Sequence, residues 1–214
     1  MTMSDYILHG RPGWGSAIVE AQLAWYGLPF RFVDSGDLLA STEARERLRP
    51  LNPLAQVPVL ELPDGQVMTE SAAITLHLAD LTGRDDLVPG ARERERAAFL
   101  RWLVFIVANI YPTFTYGDLP ERFVTAEGAA KAFRGELDAY ARRLWSVVEA
   151  AAGAPCFLGS RFSALDIYLA VMTRWRPGRP WFAEHAPRVL AAAKGAESAP
   201  ALAPVIERNF PQAP

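Results

Sequence analysis

The hydrophobic pattern changes character once along this chain, between residues 83 and 91, and that change limits the folds open to it. Before it, short strand-like and helix-like segments alternate. After it, no strand signal recurs. Tyr6–His9 is an apolar run stopped by Gly10, Pro12, Gly13 and Gly15, and it reads as a strand entering a loop. Ser16–Tyr26 carries Ile18, Val19, Ala21, Gln22 and Trp25 near helical spacing. Gly15 or Ser16 can cap its start, and Gly27 and Pro29 end it. Phe30–Val33 is a second strand, after a connection short enough for a βα unit. Thr42–Leu48 reads as a short helix. Val57–Leu62, β-branched and apolar around Pro58, reads as a strand. Asp64-Gly65 is a hairpin signal that returns Gln66–Met68 antiparallel. Glu70–Leu81 puts Ala73, Ile74, His77, Leu78 and Leu81 on one helical stripe. The order βαβαββα predicts a small mixed sheet flanked by helices.

Thr82–Gly90 reads as a linker, with Gly83, Pro89 and Gly90 among charged and polar residues. The domains are therefore placed at 1–82 and 92–214, with 83–91 between them. Arg92 to about Tyr111 is helical and apolar on nearly every face from Trp102 to Ile110, as expected in the middle of a bundle. Thr125–Ala152 is a long amphipathic helix, with Phe133, Leu137, Tyr140, Leu144, Val147 and Ala151 at steps of three or four. Ser163–Arg174 is a further helix, and Ser163-Ala-Leu-Asp166 has capping-box spacing at its start. Trp181–Lys194 and Leu202–Phe210 are shorter helices separated by Pro200 and Pro204. The second domain is thus all-helical.

Twenty-two basic residues against 24 acidic ones leave a net charge of −2, with no global field to attract nucleic acid or an anionic membrane. Arg174, Arg176 and Arg179 are interrupted by Pro177, Gly178 and Pro180, so they read as a solvated loop. The lone cysteine, Cys156, allows no internal disulfide and fits a reducing compartment. Met1–Asp5 shows neither the basic nor the apolar region of a secretory signal. The apolar run Trp102–Ala108 is far short of the ~20 residues of a spanning helix. A cytoplasmic protein is expected. His9, His77 and His185 are too scattered to suggest a metal site, and there is no Gly-x-Ser-x-Gly elbow.

One stretch carries the chemistry: Asn52-Pro53-Leu54-Ala55-Gln56-Val57-Pro58-Val59-Leu60, then Asp64-Gly65, then Thr69-Glu70-Ser71-Ala72-Ala73-Ile74. In the order of its parts it resembles the glutathione-binding half of the glutathione transferase family. The resemblance runs through the whole chain, with Gly159, Ser163 and Asp166 matching in the helical half. It implies a thioredoxin-like glutathione-binding domain at 1–82 and an all-α domain at 92–214 that holds a second substrate.

The residues support such a site in their own terms. Pro58 has no N–H and starts a strand, so it belongs at a bend. With a cis bond there, the Val57 peptide turns outward and can pair with an extended backbone. By resemblance that backbone is the cysteinyl unit of glutathione, and Gln56 is a further polar contact. Glu70 and Ser71 stand at a helix start, where open N–H groups favour a carboxylate. Ser71 would bind the γ-glutamyl carboxylate and Glu70 the ammonium beside it.

A cysteine-like thiol with a pKa near ~8.5 needs about 1–3 kcal/mol of thiolate stabilisation. In the family a Tyr, Ser or Cys after the first strand commonly helps, but here Gly13, Trp14 and Gly15 occupy those positions. Ser16, next in line at the helix start, is the expected catalytic residue. The N–H groups of residues 13–16 and the charge of Arg11 are the other available substitutes. Trp14 is expected to form a wall or lid. Tyr111, Phe114 and Tyr116 are expected to line an interdomain pocket for an apolar electrophile.

The resemblance implies conjugation of the glutathione thiol to a small hydrophobic electrophile by a homodimer needing no metal, nucleic acid or membrane. Glutathione-dependent isomerisation or dehalogenation, and a binding or regulatory module without chemistry, are the alternatives.

Overall fold

The structure, a computed structural model, describes residues 5–211. Of the Met1–Asp5 stretch read for a secretory signal, all but Asp5 lies outside the described residues. The chain gathers into two compact units. One contains the chain up to Val88 together with the segment from Lys194 onward, and the other is Pro89–Ala193. The C-terminal segment, expected with the helical domain, is grouped instead with the N-terminal unit.

In the first unit a four-stranded sheet has the order β2-β1-β3-β4. Its strands are β1 (Tyr6–Gly10), β2 (Phe30–Asp34), β3 (Val59–Glu61) and β4 (Val67–Met68). β1 pairs parallel with β2 (Leu8 opposite Phe32) and antiparallel with β3 (Leu8 opposite Leu60). The Asp64-Gly65 turn brings β4 back along β3, with Leu60 opposite Met68. β1 alternates, burying Tyr6, Leu8 and Gly10 on one face, as a strand with a period of two must. α1 (Ser16–Tyr26), α2 (Thr42–Leu48) and α3 (Ser71–Thr82) complete the α/β half. Ile18, Val19, Leu23, Ile74 and Leu78 are fully buried in its core.

The second unit contains α4 (Arg96–Phe105), a π-helical turn (Ile106–Ile110) and α5 (Tyr111–Asp118), then α6 (Ala129–Ala151), α7 (Ala164–Met172) and α8 (Arg179–His185). α9 (Pro187–Glu197) spans the division between the units, and α10 (Ala203–Asn209) lies in the first unit.

Three features differ from expectation. First, the helix through Pro112 does not stop near Tyr111. The Tyr111 N–H bonds to the Ile106 carbonyl, five residues back, and this wider turn admits a residue that has no N–H. Second, the central helix of the bundle is α7, all of whose residues are buried, whereas α4 exposes Val104. Third, Arg96–Asp118 is long and apolar enough, by length and composition, to cross a membrane. Phe99, Trp102, Leu103, Ile106 and Ile110 along it are buried inside the helical unit, as in a core helix.

Candidate functional site

The loop from β1 into α1 is built around Ser16. Its hydroxyl donates to the Arg11 carbonyl at 3.1 Å and accepts from the Arg11 N–H at 3.0 Å. Ser16 is 0% exposed. Gly10 permits this packing, because a Cβ there would overlap the Ser16 side chain and press on the Phe32 ring. Packed inward, the Ser16 hydroxyl closes the loop on Arg11. What the loop leaves open is backbone: among the described residues, the N–H groups of Gly15 and Ser16 have no acceptor within the chain.

Trp14 is half-buried against the cluster Leu38, Ala44, Leu48 and Val59, and Val57 packs against the same cluster. The Arg11 guanidinium lies 5.7 Å from the Trp14 ring centroid and 3.6 Å from Asp37. The Asp37 carboxyl is held below the usual carboxylate range by N–H bonds from Ala40 and Leu39, with Arg11 adding to them.

Buried Asn52 organises the next loop. Its Nδ2 donates to the Gln56 carbonyl at 2.8 Å, its Oδ1 accepts from the Leu54 N–H at 3.1 Å, and its own carbonyl accepts from the Ala55 N–H at 2.8 Å. Ala55 takes φ 51° to complete this turn. The loop delivers Gln56 exposed and Val57 half-buried, followed by a cis bond to buried Pro58. Among the described residues, neither the Val57 N–H nor its C=O has a hydrogen-bond partner.

α3 begins beside an unusual backbone. Glu70, its N-cap, is exposed and adopts φ 64°, ψ 100°, a conformation that costs a non-glycine residue of order 1–3 kcal/mol. No side chain caps this end. The first helical bond runs from the Ile74 N–H to the Glu70 carbonyl, so the N–H groups of Ser71, Ala72 and Ala73 stay open among the described residues. Open donors at a helix start make an anion site, and the acid beside them suits a cation.

The helical unit separates the three aromatic residues expected to act together. Tyr111 and Phe114 both pack edge-on against Trp175, at 5.6 and 5.2 Å, while Tyr116 packs against Phe123 at 4.7 Å. A cavity of about 140 Å³ is bordered by Phe114, Thr113, Asp138, Arg142 and Arg176, but not by the two tyrosines. Arg176 bridges Asp118 at 2.5 Å and Asp138 at 3.1 Å, so its charge is already paired. Half-buried Cys156 is disfavoured as a nucleophile, because burial and then the Asp166 carboxyl push its thiol up.

The description of the glutathione S-transferase N-terminal domain matches residues 16–81. YncG of Escherichia coli K12, described as an uncharacterized GST-like protein, is 39% identical over 203 residues, covering 94% of this chain and 97% of its own length. This chain belongs to the glutathione S-transferase family. Glutathione S-transferase GstA of Escherichia coli O157:H7 is 29% identical over 165 residues, 77% of this chain and 79% of its own. A solved glutathione transferase homologue from Sulfitobacter, with bound glutathione, has the same fold, with a TM-score of 0.85 at 20% identity and coverage of 96% and 98%.

Within this transferase fold, one unit holds Arg11, Trp14, Gln56, Val57, Glu70 and Ser71. The sequence reading missed Asn209. The Gly13 N–H donates to its Oδ1 at 3.0 Å from 196 positions away, and no local pattern marks such a partner. Gly13 itself has φ 80°, and a Cβ on it would sit 3.3 Å from the Asn209 carbonyl. Gly13→Ala should therefore lower stability by about 1–2 kcal/mol, the cost of a left-handed L-residue, read as a shift in thermal unfolding. A variant as stable as its parent would mean that the loop readily adopts another path.

Proposed function

We propose that this protein is a glutathione transferase that joins the glutathione thiol to a small hydrophobic electrophile. The observation that carries the reading is the start of α3. A strained, exposed acid precedes open helix amides, with a serine hydroxyl among them. Such strain persists where the surroundings enforce it, and it clusters at ligand sites. Ser71 and its neighbouring N–H groups would take the γ-glutamyl carboxylate, and Glu70 its ammonium. The open Val57 peptide would pair with the cysteinyl backbone, with Gln56 as an added contact.

Thiol activation falls to the Gly15 and Ser16 N–H groups at the start of α1, with Arg11 and the Trp14 ring beside them. One unit of thiol pKa corresponds to about 1.4 kcal/mol, and hydrogen bonds to a charged group contribute about 1.5–3 kcal/mol. Two amides suffice on that scale. The thiol proton passes to solvent, and the thiolate forms a carbon–sulfur bond either by displacing a leaving group that departs with its electron pair or by adding across an enone, whose α-carbon then takes a proton from water. Held orientation and thiolate stabilisation supply the acceleration. Phe114 and Tyr111 are the helical-unit residues proposed for the apolar substrate. A cytoplasmic homodimer is part of the same reading, and exposed Leu54, Leu81 and Val104 offer apolar surface that a second copy would cover.

The second reading is a glutathione-binding module without chemistry. It is favoured by the internal use of the Ser16 hydroxyl and by the lack of a Tyr, Ser or Cys at residues 13–15. Calorimetric titration with glutathione, followed by a panel of aryl halides, haloalkanes and enones assayed by mass spectrometry, separates the two. Saturable binding with an S-linked adduct is expected. Binding with no product from any electrophile would favour the module, and no binding would remove glutathione from the account.

A further inference from the structure

α10 lies almost two hundred residues after the β1–α1 loop and touches it directly. The Asn209 side chain uses both ends of its amide. Its Oδ1 accepts from the Gly13 N–H at 3.0 Å, and its Nδ2 donates to Glu20 Oε2 at 3.0 Å and to the Val205 carbonyl at 2.9 Å. Glu20, on α1, is a charged residue with 0% exposure, and the Arg208 guanidinium closes on its other carboxylate oxygen. Asn209 itself is buried.

A carboxylate in a dry interior persists only when it is paired and hydrogen-bonded, and removing a partner leaves an uncompensated charge. Glu20 is therefore a fixed point. Its place on α1 is tied to α10 by a charge and by an amide, and the same amide reaches on to Gly13. A primary amide offers an acceptor to an N–H and a donor to a carboxylate at once. Gly13 matches the arrangement from the other side, since its missing side chain lets the Asn209 carbonyl and the Phe210 ring come close.

We infer that Asn209 is a positioning residue. The C-terminal segment braces the Gly13–Ser16 loop through a Glu20–Asn209–Gly13 bridge, and so sets the aim of the amides that would meet the glutathione sulfur. The link to sulfur rests on the function proposed above, but the brace itself does not.

The test compares the full-length parent with Asn209→Leu, which keeps the branched shape and removes all three side-chain hydrogen bonds, those to Gly13 and Glu20 among them. Hydrogen–deuterium exchange of the ligand-free proteins should show peptides spanning 10–17 exchanging at least about tenfold faster in the variant, with peptides spanning 164–172 unchanged. Equal exchange at 10–17, or the same acceleration everywhere, would overturn the brace. If the leucine protein does not fold, Asn209→Ser, too short to span Gly13 and Glu20, gives the same readout. A second arm titrates glutathione and follows thiolate absorbance with pH. The variant should raise the bound thiol's apparent pKa, an effect that a purely structural loss of folded protein would not produce. If the parent binds no glutathione, the proposed function fails while the exchange data still decide the brace. If the parent binds and the thiol pKa is the same in both proteins, the aiming role fails.

Discussion

Asp166→Ala should lower the unfolding free energy by about 3 kcal/mol, with a matching fall in the urea midpoint. Asp166 is fully buried and serves three donors. Its Oδ1 accepts from the Phe157 N–H at 2.7 Å, and its Oδ2 accepts from the Ser163 N–H at 2.9 Å and the Ser163 hydroxyl at 3.2 Å. Ser163 in turn caps α7, completing the box. A lost cap costs about 0.5–2 kcal/mol, and a buried donor left unpaired costs about 1–3 kcal/mol. Every residue of α7 is buried, so water cannot replace the missing acceptor cheaply. Burial pushes the Asp166 carboxyl up to about 6, against the pull of the Phe157 and Ser163 donors. A folded-state value above the unfolded one means that this group adds stability as pH falls from about 6 towards the ordinary carboxylate value. The gap between parent and variant should therefore widen over that window. A variant within 1 kcal/mol of its parent would show that the helix end finds other partners.

Glu70→Gly should move stability and ligand affinity in opposite directions. Glycine accepts φ 64°, ψ 100° without the side-chain clash, which relieves strain of order 1–3 kcal/mol. It also gives the unfolded chain more freedom, costing roughly 0.5–1 kcal/mol. The net expectation is a gain of about 1 kcal/mol. The same change removes the carboxylate proposed to meet the γ-glutamyl ammonium. A charge-assisted hydrogen bond of about 1.5–3 kcal/mol corresponds to roughly 10- to 100-fold in affinity. Thermal unfolding and a glutathione titration on the same sample read both. A stabilised variant that binds glutathione as well as the parent does would detach Glu70 from the site. A destabilised one would mean that the Glu70 side chain makes up for its backbone.

Several local features could be read from short spacings. The Asp64-Gly65 hairpin, the helix start at Ser71 and the Ser163–Asp166 box join residues a few positions apart, within the reach of turns and helical rises. The Gln56-Val57-Pro58 loop was visible too, and the structure adds its cause: a buried Asn52 that binds the backbone of residues 54–56. The fate of the Ser16 hydroxyl was not legible. A serine at a helix start looks the same whether its hydroxyl faces a ligand or its own loop, and here Gly10 decides, by leaving room for Ser16 to pack inward.

The sequence by itself determined the alternation of strands and helices up to Thr82, the helical remainder, and the acid and serine at the start of α3. These follow from periodicity and from local backbone preference, which a chain carries wherever it folds. Tertiary structure alone decided that α7 is the buried centre of its bundle, that Tyr116 stands apart from Tyr111 and Phe114, and that the tail returns to Gly13 and Glu20. Those outcomes depend on which surfaces meet after collapse. A hydrogen bond across 196 positions leaves no mark on the spacing of neighbouring residues.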